Sequence, residues 1–123
     1  MNFNEYQTEA HKTAIYSYDI TFPVYEDLGN YEVSKNNVPV YPFLKVNTES
    51  AELAEKLIKI IFRKDKAFIT QEQIEKEIGD ILWYCAEMAT GIGASLESIA
   101  KQNIKKLEDR QNRNVIHGSG DDR

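Results

Sequence analysis

The chain has little of what several functional classes require. Its single cysteine, Cys85, allows no internal disulfide and suits a reducing, cytoplasmic setting. Its two histidines, His11 and His117, do not stand in the Glu-x-x-His pairs of a di-iron bundle. Basic residues are outnumbered, 15 against 20 acidic ones, for a net charge of −5, so a nucleic-acid polymer is not the expected partner. No apolar run approaches the roughly 18 residues that span a bilayer, and Met1 to Glu5 lacks the basic and apolar regions of a signal peptide, so no membrane partner is expected. The three prolines (Pro23, Pro39 and Pro42) all fall in one stretch, which leaves the rest free for long helices.

Those helices are what the sequence mostly contains. At 123 residues, a single domain covering 1–123 is expected, with a core small enough that oligomerisation would help it. The first helix is expected from about Asn4 to Tyr16. The proline-bearing stretch, 18–47, reads as a long irregular loop with short extended pieces, a length that is often functional. A second helix is expected from near Thr48 to about Lys64, with Leu53, Leu57, Ile60 and Ile61 on its apolar face. A third follows Thr70, where Thr70-x-x-Gln73 fits a capping box, and carries Ile74, Ile78, Ile81, Leu82, Cys85 and Met88 inward up to Gly91 and Gly93. Ser95 is the expected N-cap of a fourth, reaching about Arg110 with Leu96, Ile99, Ala100, Ile104 and Leu107 inward. The tail, 112–123, is polar and without periodicity. The fold class is all-α, with neighbouring helices antiparallel.

Two acidic pairs stand out, Glu49-x-x-Glu52 and Glu77-x-x-Asp80. Residues three apart share a helix face, with Cβ atoms about 5–6 Å from one another. At about 100° per residue, both pairs fall at the edge of an apolar stripe. Tyr84 and Glu87 continue the flank of the second pair; Lys56, Lys59 and Arg63 continue that of the first. Any one such pair alone would read as a solvated face. Two pairs on neighbouring helices could put four carboxylates into one cleft, an oxygen cluster suited to a hard cation such as Mg²⁺ and, through it, to a phosphate-bearing substrate. On the fourth helix Asn103 interrupts the apolar stripe, and Lys106 and Arg110 follow on nearly the same side. An amide and two cations placed there must find partners or face a ligand, and phosphate oxygens suit them.

Thr48-Glu49-Ser50-Ala51-Glu52-Leu53-Ala54-Glu55-Lys56 resembles the first motif of the MazG-like nucleotide pyrophosphohydrolases, of the all-α NTP pyrophosphatase superfamily. Lys76-Glu77-Ile78-Gly79-Asp80-Ile81-Leu82-Trp83-Tyr84 resembles their second. Asn103-x-x-Lys106-x-x-x-Arg110 and the tail Gly118-Ser119-Gly120-Asp121-Asp122-Arg123 are similar to patterns that recur there. The resemblance runs from Thr48 to Arg123 and, more weakly, through Glu5-Tyr6-Gln7. One departure is Thr48, where the family pattern has a leading glutamate.

The resemblance implies a four-helix MazG-like bundle that hydrolyses nucleoside triphosphates to the monophosphate and pyrophosphate. It implies Mg²⁺, with Mn²⁺ as a possible substitute, held by Glu49, Glu52, Glu77 and Asp80 as the metal-binding and catalytic carboxylates. Lys56, Lys59, Asn103, Lys106 and Arg110 are the candidates for holding phosphates. Gln7, His11, Trp83 and Tyr84 are weaker candidates for the base. Trp83, Ala86, Ala54 and Ile58 lie off the main apolar faces, and helices apolar on two sides need two partners, so a homodimer or homotetramer is expected. The alternatives are a dUTPase-like or phosphoribosyl-ATP-hydrolysing relative, and a non-catalytic helical nucleotide-binding or protein-interaction module.

Overall fold

A computed structural model describes residues 1–27, 29, 32–62 and 68–121. Four helices carry the architecture: α1 (Phe3–His11), α2 (Tyr41–Phe62), α3 (Gln71–Gly91) and α4 (Leu96–Asn112). Between α1 and α2 lies an antiparallel hairpin, β1 (Thr21–Asp27) and β2 (Glu32–Pro39). The all-α, MazG-like class expected from the sequence is the class observed. The expected Arg63–Lys64 end of the second helix, and Asp122 and Arg123 of the tail, lie outside the described residues.

Local chemistry sets the helix starts. Asn2 caps α1, accepting from the Glu5 amide at 2.9 Å while the Glu5 carboxylate takes the Asn2 amide at 3.2 Å. Thr70 and Gln73 form the same reciprocal box on α3, as their spacing predicts. Ser95 caps α4 by accepting from the Ser98 amide. Helix α1 stops earlier than its periodicity suggests. The amide and hydroxyl of Thr13 both turn back to the Ala10 carbonyl, at 3.0 and 2.7 Å, and close the last turn. Tyr16, expected at the helix end, instead lies among aromatic rings.

The segment read as loop is more ordered than expected. Both strands of a two-stranded sheet are edges, so Pro23 and Pro39 interrupt no central ladder. A register shift between Val24 and Tyr25 bends the hairpin. Helix α2 then begins at Tyr41 and not near Thr48. Pro42 fits in the first turn, where a missing amide costs nothing, and the amides of Phe43 and Leu44 already bond the Val40 carbonyl at 3.1 and 3.3 Å. A proline that resembles a helix stop is here a helix start. Val38 and Pro42 are fully buried and pin the hairpin base to the bundle. Gly91 permits this, because a Cβ there would stand 3.1 Å from Val38 Cγ1.

The core is small. Ala10, Ala86, Ala89 and Leu96 form it, with Tyr6, Leu82, Trp83 and Cys85 packed against it. It sits where α1 crosses α3 and the start of α4. Helix α1 is short, so it covers only part of its neighbours. Leu57, Ile61, Ile78, Ile99 and Ile104, all expected inward, are therefore exposed in the single chain. Among the described residues no helix is long and apolar enough to cross a membrane.

Candidate metal centre

Helix α2 packs along α3 and brings the acidic pairs together. One carboxylate oxygen each of Glu49, Glu52 and Glu77 lie within 4.8 Å of one another. Glu49 is half-buried, Glu52 exposed and Glu77 buried at 7% exposure, so the cluster runs from solvent to interior. Asp80, one helical turn beyond Glu77, is exposed and stands outside this trio, although its charge acts on Glu49, Lys56 and Tyr84.

The cluster's electrostatics are unbalanced. Burial holds the Glu49 carboxyl above its ordinary value, and the charges of Glu52 and Asp80 push the same way against Lys45. Lys56 gives one ammonium to Glu77 Oε1, and that hydrogen bond raises its pKa, with the Glu77, Glu52 and Asp80 charges adding to it. The second Glu77 oxygen, Oε2, is buried with no hydrogen-bond partner among the described residues. A buried acceptor in that state costs free energy that a cation would relieve. The donor set is all oxygen, as Mg²⁺ prefers. Opposite ligands of Mg²⁺ stand about 4 Å apart, close to the span observed. The residues therefore fit a hard divalent cation.

An aromatic group adjoins the carboxylates. The Tyr84 hydroxyl is pushed up to about 12 by burial, by Tyr41 and by the charges of Glu49 and Asp80, which places it beside the acidic cluster. Its ring lies edge-on to Trp83 at 5.0 Å and 6.4 Å from that of Tyr41. Tyr16 stacks between Tyr41 and Tyr18, at 5.3 Å from each, and meets Trp83 edge-on. Trp83 Nε1 donates to Thr13 Oγ1 at 2.8 Å. Spacing does not bring Tyr41 and Tyr16 together, because it leaves Tyr41 in the long loop and Tyr16 at the end of the first helix; Pro42 as a first-turn residue is the signal for Tyr41.

Other candidates are occupied elsewhere. Gln7 donates to Thr90 Oγ1 and the Ala94 carbonyl and accepts from the Leu96 amide, at 3.1, 2.8 and 2.7 Å, tying α1 to the α3–α4 turn and the α4 N-terminus. His11 Nδ1 lies 3.2 and 3.1 Å from the two oxygens of Glu87, which is fully buried. The Glu87 carboxylate also helps hold the Tyr16 hydroxyl above its ordinary value, after burial and Tyr18. Gln7 and His11 thus both link α1 to the α3–α4 part of the fold. Lys59 is exposed and shares with Lys56 and Phe68 the lining of a cavity of about 150 Å³. Asn103 is exposed beside Lys106, at a cavity of about 310 Å³ that Ile99 and Gln102 complete. Lys106 and Arg110 both bond Asp121 of the tail.

These features define a helical protein with a hard-cation type of carboxylate cluster between two helices and an aromatic group at its edge. The family model of the MazG nucleotide pyrophosphohydrolase domain matches residues 44–115, more than half of the chain. The chain belongs to that family. It is 35% identical over 126 aligned residues to the Gene 37 protein of Mycobacterium phage L5, with the whole of both chains covered. No solved structure gives a significant match.

Proposed function

We propose that the chain hydrolyses nucleoside triphosphates to nucleoside monophosphate and pyrophosphate, with Mg²⁺ bound by Glu49, Glu52, Glu77 and Asp80. The observation that carries this reading is the Glu49–Glu52–Glu77 convergence, with a buried Glu77 oxygen lacking a partner among the described residues. Membership of a nucleotide pyrophosphohydrolase family supports it. When bound, the metal supplies charge to the phosphates and acidifies an attacking water.

The chain's own residues do the rest. Lys56 holds Glu77 in place and keeps positive charge at the phosphate side. Asp80 closes the set from the exposed flank. Lys106 and Arg110, with Asn103 beside them and Lys59 further out, receive the phosphate chain. Tyr84, with Tyr41 and Trp83, offers the stacking faces for the base. The chain works as a single domain in a homodimer or homotetramer, in which the exposed apolar residues of α2 and α4 are covered. Its setting is the cytoplasm, where one unpaired cysteine is stable.

The test is pyrophosphate release from a panel of NTPs and dNTPs with Mg²⁺. Wild type is expected to release pyrophosphate from at least one of them, and Glu52→Gln and Asp80→Asn to lose that release. A wild type inactive on the whole panel, dUTP and phosphoribosyl-ATP included, would leave a non-catalytic nucleotide-binding module as the reading. Elution as a compact monomer in light scattering would remove the oligomer.

A further inference from the structure

The tail does not simply leave α4; it returns to it. Asn114 adopts φ 57°, and the Val115 amide bonds the Arg110 carbonyl at 2.9 Å. The Gly118 amide then bonds the Val115 carbonyl, and Gly120 takes φ 81°, a conformation in which any other residue would be strained. These turns deliver Asp121 to the two cations of α4. Lys106 Nζ donates to Asp121 Oδ1 at 3.1 Å. Arg110 Nη2 donates to the Asp121 main-chain carbonyl at 2.7 Å and to its Oδ1 at 3.3 Å.

The two sides of this contact are unequal. Arg110 is buried at 4% exposure, and its Nε has no acceptor among the described residues. The Asp121 side chain is 84% exposed. A guanidinium offers five donors, and an exposed carboxylate that satisfies few of them is a weak, salt-screened partner. A phosphoryl group carries more oxygens and more charge, and suits the planar fork better. Lys106 and Asp80 lie equally far along the chain from Gly93 in the α3–α4 turn, one on the α4 side of it and one on the α3 side.

We propose that Asp121 is an internal stand-in for phosphate: it occupies the Lys106–Arg110 site when no nucleotide is bound, and the polyphosphate chain of the substrate displaces it. This rests on the reading that the α4 cations receive phosphates, and it adds that the tail competes for them. Displacement is an exchange of anions, so the tail tunes affinity without touching the metal carboxylates.

The experiment measures binding of inorganic tripolyphosphate to the full chain by calorimetry, in EDTA so that no metal contributes. Asp121→Asn is expected to bind several-fold more tightly than wild type, and Lys106→Gln more weakly. In wild type, the amide resonances of Gly120 and Asp121 are expected to shift on titration. Arg110 is buried, so its replacement would perturb the fold as well as the site, and Lys106→Gln carries that arm with its melting curve as the control. Unchanged or weaker binding by Asp121→Asn would make the tail a structural clasp and overturn the proposal. Orthophosphate displacing the tail as well as tripolyphosphate does would also overturn it, because the site would then not select the substrate's chain. The outcome is separable from hydrolysis. Pyrophosphate release with no effect of Asp121→Asn leaves the enzyme reading standing and removes this one; tighter binding without hydrolysis does the reverse.

Discussion

Glu77 and Glu87 lie on one flank of α3, roughly 15 Å apart along its axis, and both are buried, yet they live differently. Glu87 has both oxygens within hydrogen-bond distance of His11 Nδ1. Glu77 has one oxygen on Lys56, the other without a partner among the described residues, and two more glutamates crowding it. A buried carboxylate that is fully paired joins elements; here it ties α1 to α3. One left half-paired among like charges is a cost to the fold that a bound cation would offset. The same residue type on the same helix thus marks the structural end and the candidate-site end of the molecule.

That contrast breaks most sharply through activity. Glu77→Gln is expected to lower pyrophosphate release by about a hundredfold or more, since even partners behind a metal ligand are worth about 10–100-fold. The check is a release assay at saturating Mg²⁺. Preserved activity would mean that Glu77 is no more functional than Glu87.

Stability separates the two ends next. At a Mg²⁺ concentration about 100 times its Kd, wild type is expected to gain about 2.7 kcal/mol, and Glu77→Gln to gain little. His11→Ala is expected to lose about 1–3 kcal/mol by stranding Glu87, while keeping the Mg²⁺ increment. Urea unfolding with and without metal reads both quantities. A variant at His11 that lost the increment would merge the two regions into one site.

The pH dependence has a definite sign. The Glu49 carboxyl is held above its ordinary value, by burial first and then by Glu52 and Asp80. The folded state therefore binds that proton more tightly than the unfolded state does. Metal-free protein should gain stability as pH falls into the Glu49 range and lose that gain as pH rises through its folded pKa. The Mg²⁺ increment should behave oppositely, full at neutral pH and shrinking over the same fall, because the metal needs the ionised form. Thermal melts across pH, with metal and with EDTA, test both trends. The smallest effect is expected at Gly91→Ala, where the new methyl meets Val38 and costs about 1 kcal/mol after the helix-propensity gain.

Much of this was readable because helical spacing preserves neighbourhood. Glu49, Glu52 and Glu77 converge as their positions at stripe edges implied, and the capping box at Thr70 and the cap at Ser95 fall where their chemistry places them. Asp80 is the member of the expected quartet that stays outside the tight cluster, since being one turn further on does not fix where its side chain points. What could not be read was set by tertiary contact. Pro42 reads as a breaker until a turn begins at Val40. The full pairing of Gln7 depends on partners more than eighty residues away. The return of Asp121 depends on positive φ at Asn114 and Gly120, which leaves no periodic trace. The exposed Ile61 and Ile104 look like core in a helical wheel because apolar spacing does not distinguish a partner in the same chain from one outside it.

The placement of Trp83 has an optical consequence. It is the only indole in the chain, set edge-on between Tyr16 and Tyr84 with its Nε1 on Thr13, and Tyr84 feels the charges of Glu49 and Asp80. Excitation of the tyrosines should pass to this one emitter, whose fluorescence then becomes an intrinsic dial for charge arriving at the carboxylates, with no label attached.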